Sequence, residues 1–401
     1  MENSSFWRFR KVFKVPSQER RKRGIFSMGL IDETYEEAKK IMHRSITPRG
    51  LYASGTKYGY LSIWPRDSMI SFLGASLYED KAIQTCYRNT LITLSRYQSK
   101  QGQIPNCVDF KRRLVTFGTI DSSLWYIIGQ HTYAKNYRDH GLLKRYKKNI
   151  EKALNWVQYQ DSGDDKLPEQ QPTTDWEDAF PHKYGHTINT QALYYYALRL
   201  MGKEKDAREV KFLVNDGGKK PWLSLWNKRE GYYYAYAWKD HAGIREEGAW
   251  FDSLGNILAI VFGLADREKA KMILRYIQRK NINKPFPVRC LDPPFHRNTR
   301  EWQPYFDKCI SKPHQYLNSG VWPFIGGFYV ASLVAMKEHK KAEEELKNLA
   351  LANMSKGIKW RFSEWLNGEN GKPKGSEFQS WSIGMYLFAY QCVKERKVLI
   401  A

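Results

Sequence analysis

Two kinds of hydrophobic pattern alternate along the chain, and this alternation constrains the fold more than any other feature. The stretch 254–265 (LGNILAIVFGLA) is apolar on every side. The next, 266–280, is apolar only at Ala270, Ile273, Leu274 and Ile277, the i, i+3, i+4, i+7 stripe of a surface helix. The pairing recurs. Apolar 320–336 precedes 337–352, striped at Ala342, Leu346 and Leu349, and apolar 122–134 precedes 142–157, striped at Leu143, Tyr146, Ile150, Leu154 and Val157. A helix apolar all round must be enclosed by neighbours, whereas a striped one covers it from outside.

The periodicity predicts roughly twelve helices, at 33–45, 66–79, 81–98, 121–138, 142–159, 187–201, 204–227 (broken at Gly217-Gly218), 251–264, 266–280, 320–336, 338–354 and 377–395. One strand candidate is 232–239 (YYYAYAWK). Connections alternate as well. Only a few residues lead from an apolar helix to the next striped one, but those leading back are long: 46–65, 99–120, 160–186, 228–250, 281–319 and 355–376. Long loops in a compact domain are usually functional. Six short and six long connections predict six helical hairpins around one axis, an all-α (α/α)6 toroid with the long loops at one end. It is expected to form one domain, 29–401, behind a basic N-terminal extension at 1–28.

Composition excludes several classes. Hydrophobic residues are 42% and charged residues 27% of the chain, which is globular rather than disordered. The apolar runs at 254–265 and 325–336 fall short of the ~18–20 residues needed to span a bilayer. The net charge is +23, from 65 Lys+Arg against 42 Asp+Glu. Between Arg8 and Arg23 stand eight basic residues and one acid, Glu19; the remaining excess lies on solvated helix faces, without an RNA-recognition or zinc-finger signature. Nucleic acid is therefore not the expected partner. Five scattered cysteines (Cys86, Cys107, Cys290, Cys309, Cys392) form no C-x-x-C and point to a reducing compartment, and the basic, aromatic N-terminus lacks a signal-peptide core. A cytoplasmic location is the expectation. No histidine has a metal-ligand spacing with acids, and neither a metal nor a cofactor is expected.

The apolar helices carry polar residues near their N-termini: Arg66 and Asp67, Asp121, Asn189, Asp252 and Asn256, Asn318 and Ser319, and Gln379. In a toroid these converge where the long loops gather, making a polar, aromatic-lined funnel. Trp, Tyr and Phe together are 15% of the chain, and broad apolar rings with polar edges suit the faces of sugars. Glycosidic cleavage needs two carboxyl groups flanking the bond, one protonated and one ionised. Two loops offer them: TTDWEDAF (173–180), and FSEWLNGENGKPKGSEF (362–378) with Glu364, Glu369 and Glu377. As the third and sixth long loops of six, they face each other across the axis.

These residues resemble known families. RDSMISFLGA (66–75), IPN (104–106) before TIDSSLWYI (119–127), and TDWED (174–178) are similar to the α-1,6-glucosidase domain of glycogen debranching enzymes. HTINTQALYYYALR (186–199), WFDSLGNILAIVFGLA (250–265), PHQYLNSGVWPF (313–324) and FQSWSIGMYL (378–387) look more like alkaline/neutral invertases. The likeness runs from about residue 33 to 395, in shared order. Both groups, and the more distant glucoamylases, are inverting glycosidases on an α/α toroid. The resemblance implies Asp178 as general acid and Glu364 as catalytic base; the glucoamylase pattern, with the acid directly after the Trp, would select Glu177 instead. Trp64, Arg66, Asp67, Asp121, Trp125, Trp176, Glu177, Asn318, Trp322, Trp365 and Gln379 are then candidates for holding a terminal sugar. The expected partner is a carbohydrate, either an α-glucosidic oligosaccharide or sucrose. The two carboxyls are expected roughly 6.5–9.5 Å apart. Two other readings remain at this stage: a polysaccharide lyase or unsaturated-uronyl hydrolase on the same toroid, and a non-catalytic polyanion binder acting through residues 1–23. Oligomeric state is left open.

Overall fold

The computed structural model describes residues 17–299, 301–308, 312–354 and 359–401. Residues 1–16 of the expected basic extension, and Cys309, lie outside the described residues. Residues 17–28 form the beginning of the first helix.

Thirteen α-helices occur among the described residues: α1 (Ser17–Met42), α2 (Pro65–Ala75), α3 (Lys81–Arg96), α4 (Asp121–Tyr137), α5 (Gly141–Arg145), α6 (Lys147–Gln158), α7 (Ile188–Leu200), α8 (Glu204–Asp216), α9 (Ser253–Val261), α10 (Arg267–Arg279), α11 (Pro323–Ala335), α12 (His339–Ala352) and α13 (Ser380–Lys394). Sequence supplies their boundaries. Pro65 and Pro323 open α2 and α11 at the first turn, where a missing N–H costs nothing. Asp80, Thr187, Asp252 and Asp266 cap α3, α7, α9 and α10 by accepting backbone N–H bonds. The expected 204–227 helix stops at Asp216 because Gly217 turns left-handed at φ 82°. The expected 142–159 helix is interrupted at Tyr146 into α5 and α6.

The six helices that read as apolar all round, α2, α4, α7, α9, α11 and α13, contact one another in that order, and α13 returns to α2. Every residue of α2, α9 and the first twelve of α11 is buried. The striped helices cover them: α3 lies on α2, α6 on α4, α8 on α7, α10 on α9, α12 on α11 and α1 on α13. The closing contact needs glycine. A Cβ on Gly74 would stand 1.9 Å from the Gly384 carbonyl oxygen, and one on Gly384 would stand 2.3 Å from that of Ser71. Backbone therefore meets backbone between α2 and α13.

Among the described residues, sheet is confined to five short antiparallel pairs and one three-stranded antiparallel sheet in the connections. The expected strand at 232–239 is two strands with different partners. Tyr232–Tyr233 pairs with Trp226–Asn227, whereas Tyr236–Lys239 pairs with His186–Thr187 and Arg245–Glu247. No helix of the described residues is long and apolar enough to cross a membrane.

Candidate active site

A pocket opens among the long connections, lined by Ala53, Tyr60, Trp64, Arg66, Asp67, Trp176, Asp178, Tyr316, Trp322, Glu364, Gln379 and Trp381. It gathers residues from four of the six long loops and the N-terminal turns they feed. Both carboxyls singled out from sequence, Asp178 and Glu364, are in its wall.

Glu364 is held by the hairpin that pairs Trp365–Leu366 with Pro373–Lys374. The Ser376 N–H donates to its Oε2 at 2.9 Å and the Tyr60 hydroxyl to its Oε1 at 3.3 Å. Gly375, at φ 69°, makes the seat possible, since a Cβ there would come within 2.5 Å of Oε2. Burial raises the Glu364 pKa, the two donors pull it down, and the Asp178 charge raises it again.

Asp178 ends a loop whose backbone is pinned at two points. Ile120 N–H donates to the Thr174 carbonyl at 2.8 Å, and Arg66 Nη2 donates to the Asp175 carbonyl at 2.9 Å. Burial raises the Asp178 pKa; Arg66 opposes this, while Asp121 and Asp175 add to it. Asp67, buried in the same wall, is pushed up to about 7 by burial, against Arg66, with the charges of Glu364 and Asp178 adding to the rise. Gln379 Nε2 donates to its Oδ1 at 3.3 Å.

The remaining wall is aromatic. Trp176 stands edge-on to Trp322 at 5.4 Å, Trp322 edge-on to Trp381 at 5.8 Å, and Tyr316 is 5.4 Å from Trp322. The indole N–H groups of Trp64, Trp176 and Trp381 and the Gln379 Oε1 are buried without a hydrogen-bond partner among the described residues. Buried polar atoms are rarely left so, and these suit a hydroxyl-rich ligand.

Five sequence candidates lie elsewhere. Asp121 sits under the pocket, binding Arg66 through two bonds of 2.6 and 3.2 Å. Trp125 packs in the core against Phe262 and Phe328. Asn318 bonds the backbone of Phe295 with both ends of its amide. Trp365 is buried behind Tyr316. Glu177 belongs to a buried ion cluster, in which Lys183 Nζ lies 2.9 Å from Asp175, 2.6 Å from Glu177 and 2.8 Å from Asp252. Burial opposes the Lys183 charge, but three carboxylates outweigh it and hold the ammonium above its usual range. Conversely, Tyr60, Tyr316 and Trp381 line the pocket without having been singled out. Each is within four residues of a named candidate, so aromatic neighbours of the polar landmarks were the available signal.

A family model described as amylo-alpha-1,6-glucosidase matches residues 41–387. Alkaline/neutral invertase C, mitochondrial, of Arabidopsis thaliana is 23% identical over 335 residues, covering 69% of this chain and 48% of that protein; the chain spans about half the length of this relative. Two solved structures share the fold. One is a GH63 mannosylglycerate hydrolase from Thermus thermophilus in complex with Tris and D-glycerate (15% identity, TM-score 0.67, covering 88% of this chain and 99% of that one). The other is a glycosidase variant in complex with glucose (14% identity, TM-score 0.65, covering 97% and 100%). With the matched family spanning most of the sequence, the chain belongs to the amylo-alpha-1,6-glucosidase family of glycoside hydrolases.

Proposed function

We propose that the chain is a six-hairpin (α/α)6 toroid and an inverting glycoside hydrolase that releases a terminal glucose, from an α-glucosidic oligosaccharide or from sucrose. The observation that carries this reading is that Asp178 and Glu364, from the third and sixth long connections, line one aromatic-walled pocket. The closed order of contacts among the apolar helices supports the toroid. Scattered, buried free cysteines support a reducing, cytoplasmic setting.

Asp178, its pKa raised by desolvation and by the neighbouring carboxylates Asp121 and Asp175, donates its proton to the glycosidic oxygen as the bond to the anomeric carbon breaks. Water attacks that carbon from the opposite face, and Glu364 takes its proton. Glu364 is the better base because two donors stabilise its ionised form. The sugar leaves with inverted configuration, and solvent returns the proton to Asp178 and removes the one on Glu364. Trp64, Arg66, Asp67, Trp176, Trp322 and Gln379 hold the terminal ring, together with Tyr60, Tyr316 and Trp381.

A lyase or uronyl hydrolase reading finds little support. Arg66 is the one cation in the described pocket wall, and Asp121 already neutralises it. The test is incubation with sucrose, trehalose, maltose, isomaltose and limit dextrin while NMR follows the anomer first released. Release of β-glucose from an α-glucoside, abolished in Asp178→Asn, is expected; α-glucose as first product would overturn inversion.

A further inference from the structure

A larger cleft, of about 550 Å³, lies beside the pocket, built by the third, fourth and fifth long connections. Its walls are aromatic and mostly half-buried. His182 stacks on Tyr305 with ring centres 3.8 Å apart, Tyr184 meets Tyr236 at 4.7 Å, and Tyr236 meets Trp250 at 5.6 Å. The Trp250 indole N–H is buried without a partner among the described residues. Tyr184 donates its hydroxyl to Glu246.

The cleft and the pocket share structure on one side only. Pro181 and His182 of the cleft directly continue the loop that carries Asp178, and Phe180 between them packs on Phe306 at 4.5 Å and Phe295 at 6.1 Å, both cleft residues. Phe295 is in turn bonded to Asn318, two residues from Tyr316 of the pocket. Among the described residues, the loop bearing Glu364 contributes none to the cleft. In an inverting reaction the acid faces the departing group and the base faces the water.

Resting on the reading of Asp178 as the acid, we infer that this cleft receives the leaving-group side of the substrate, the second and later residues of a neutral oligosaccharide. Neutrality follows from the lining, where Arg245 stands against Glu246, Glu247 and Glu301 and is ion-paired to Glu247 at 2.8 Å. An acidic glycan would meet net repulsion there. The substrate is accordingly a chain longer than sucrose.

The experiment compares kcat/KM for α-glucosyl fluoride, which has no sugar leaving group, with malto- and isomalto-oligosaccharides of two to seven residues. In the native protein kcat/KM rises with length in one series, and Tyr184→Ala and His182→Ala, both at half-buried positions, each lower it for the longest substrate on the order of ten-fold. Turnover of α-glucosyl fluoride stays unchanged in both. A profile flat with length in both series overturns the inference, as does a variant that slows α-glucosyl fluoride and the long chains equally. Asp178→Asn separates the two levels. If it is inactive on the oligosaccharides while the profile is flat, the cleft assignment alone falls; if it still turns over the oligosaccharides at the native rate, the acid assignment falls and takes the cleft's role with it.

Discussion

Two sets of carboxyls within a few ångströms of one loop have opposite circumstances. Along Asp175-Trp176-Glu177-Asp178, the first and third side chains meet Lys183, and the second and fourth enter the pocket. The cluster supplies a cation at 2.6–2.9 Å from each of three carboxylates. The pocket leaves Asp67, Asp178 and Glu364 facing one another, with burial raising the pKa of all three. One arrangement fixes the loop. The other gathers carboxyls whose pKa values are raised, with only Arg66 as a cation in the described pocket wall, as functional sites commonly do.

Asp178→Asn should break the contrast most severely, lowering kcat by roughly 10³-fold or more while the protein melts no earlier. Glu177→Gln should retain most turnover; loss of turnover here, with retention in Asp178→Asn, would move the acid to Glu177. Lys183→Met leaves three buried carboxylates without their cation and should lower unfolding free energy by about 3–5 kcal/mol in urea titrations. No change would mean the cluster does not hold the loop.

Asp67 sharpens the comparison through pH. Its folded pKa of about 7 stands above the usual aspartate value, so its favourable contribution is complete below pH ~4 and is lost as pH rises through about 7. Asp67→Asn should therefore stabilise the protein by up to a few kcal/mol at pH 8, not at pH 4, and bind substrate less well. Equal melting shifts at both pH values would refute this. Gly74→Ala, away from both regions, should cost about 1–3 kcal/mol by forcing α2 from α13. The smallest effect belongs to Tyr60→Phe. Loss of its bond raises the Glu364 pKa, so the acid limb of the kcat/KM profile moves upward by less than about one unit.

The helices were legible because burial on all sides and burial on one side leave different periodicities, and capping residues marked their ends. The breaks at Tyr146 and Gly217 depend on local backbone choices that periodicity only partly records. In the site, Trp64, Arg66, Asp67, Trp176, Asp178, Trp322, Glu364 and Gln379 come together because each sits where a long loop enters an apolar helix or turns back above it. Glu177 and Trp365 share those loops, but neighbouring side chains in an extended segment take opposite sides, and sequence adjacency does not say which side faces the pocket. Asp121, Trp125 and Asn318 were drawn by the same rule into supporting positions. Lys183 was not read as the counter-charge of Asp175, Glu177 and Asp252, since two of these share its own loop while the third caps α9, 69 residues on.

The glycine-to-backbone contact between α2 and α13 joins segments from nearly opposite ends of the sequence. During synthesis, α2 emerges well before α13 and has no partner for that surface until α13 leaves the ribosome. Contacts so distant along the chain are slow to form. A nascent chain exposes sticky apolar surface throughout that interval, so folding assistance matters most before residues 380–394 are available.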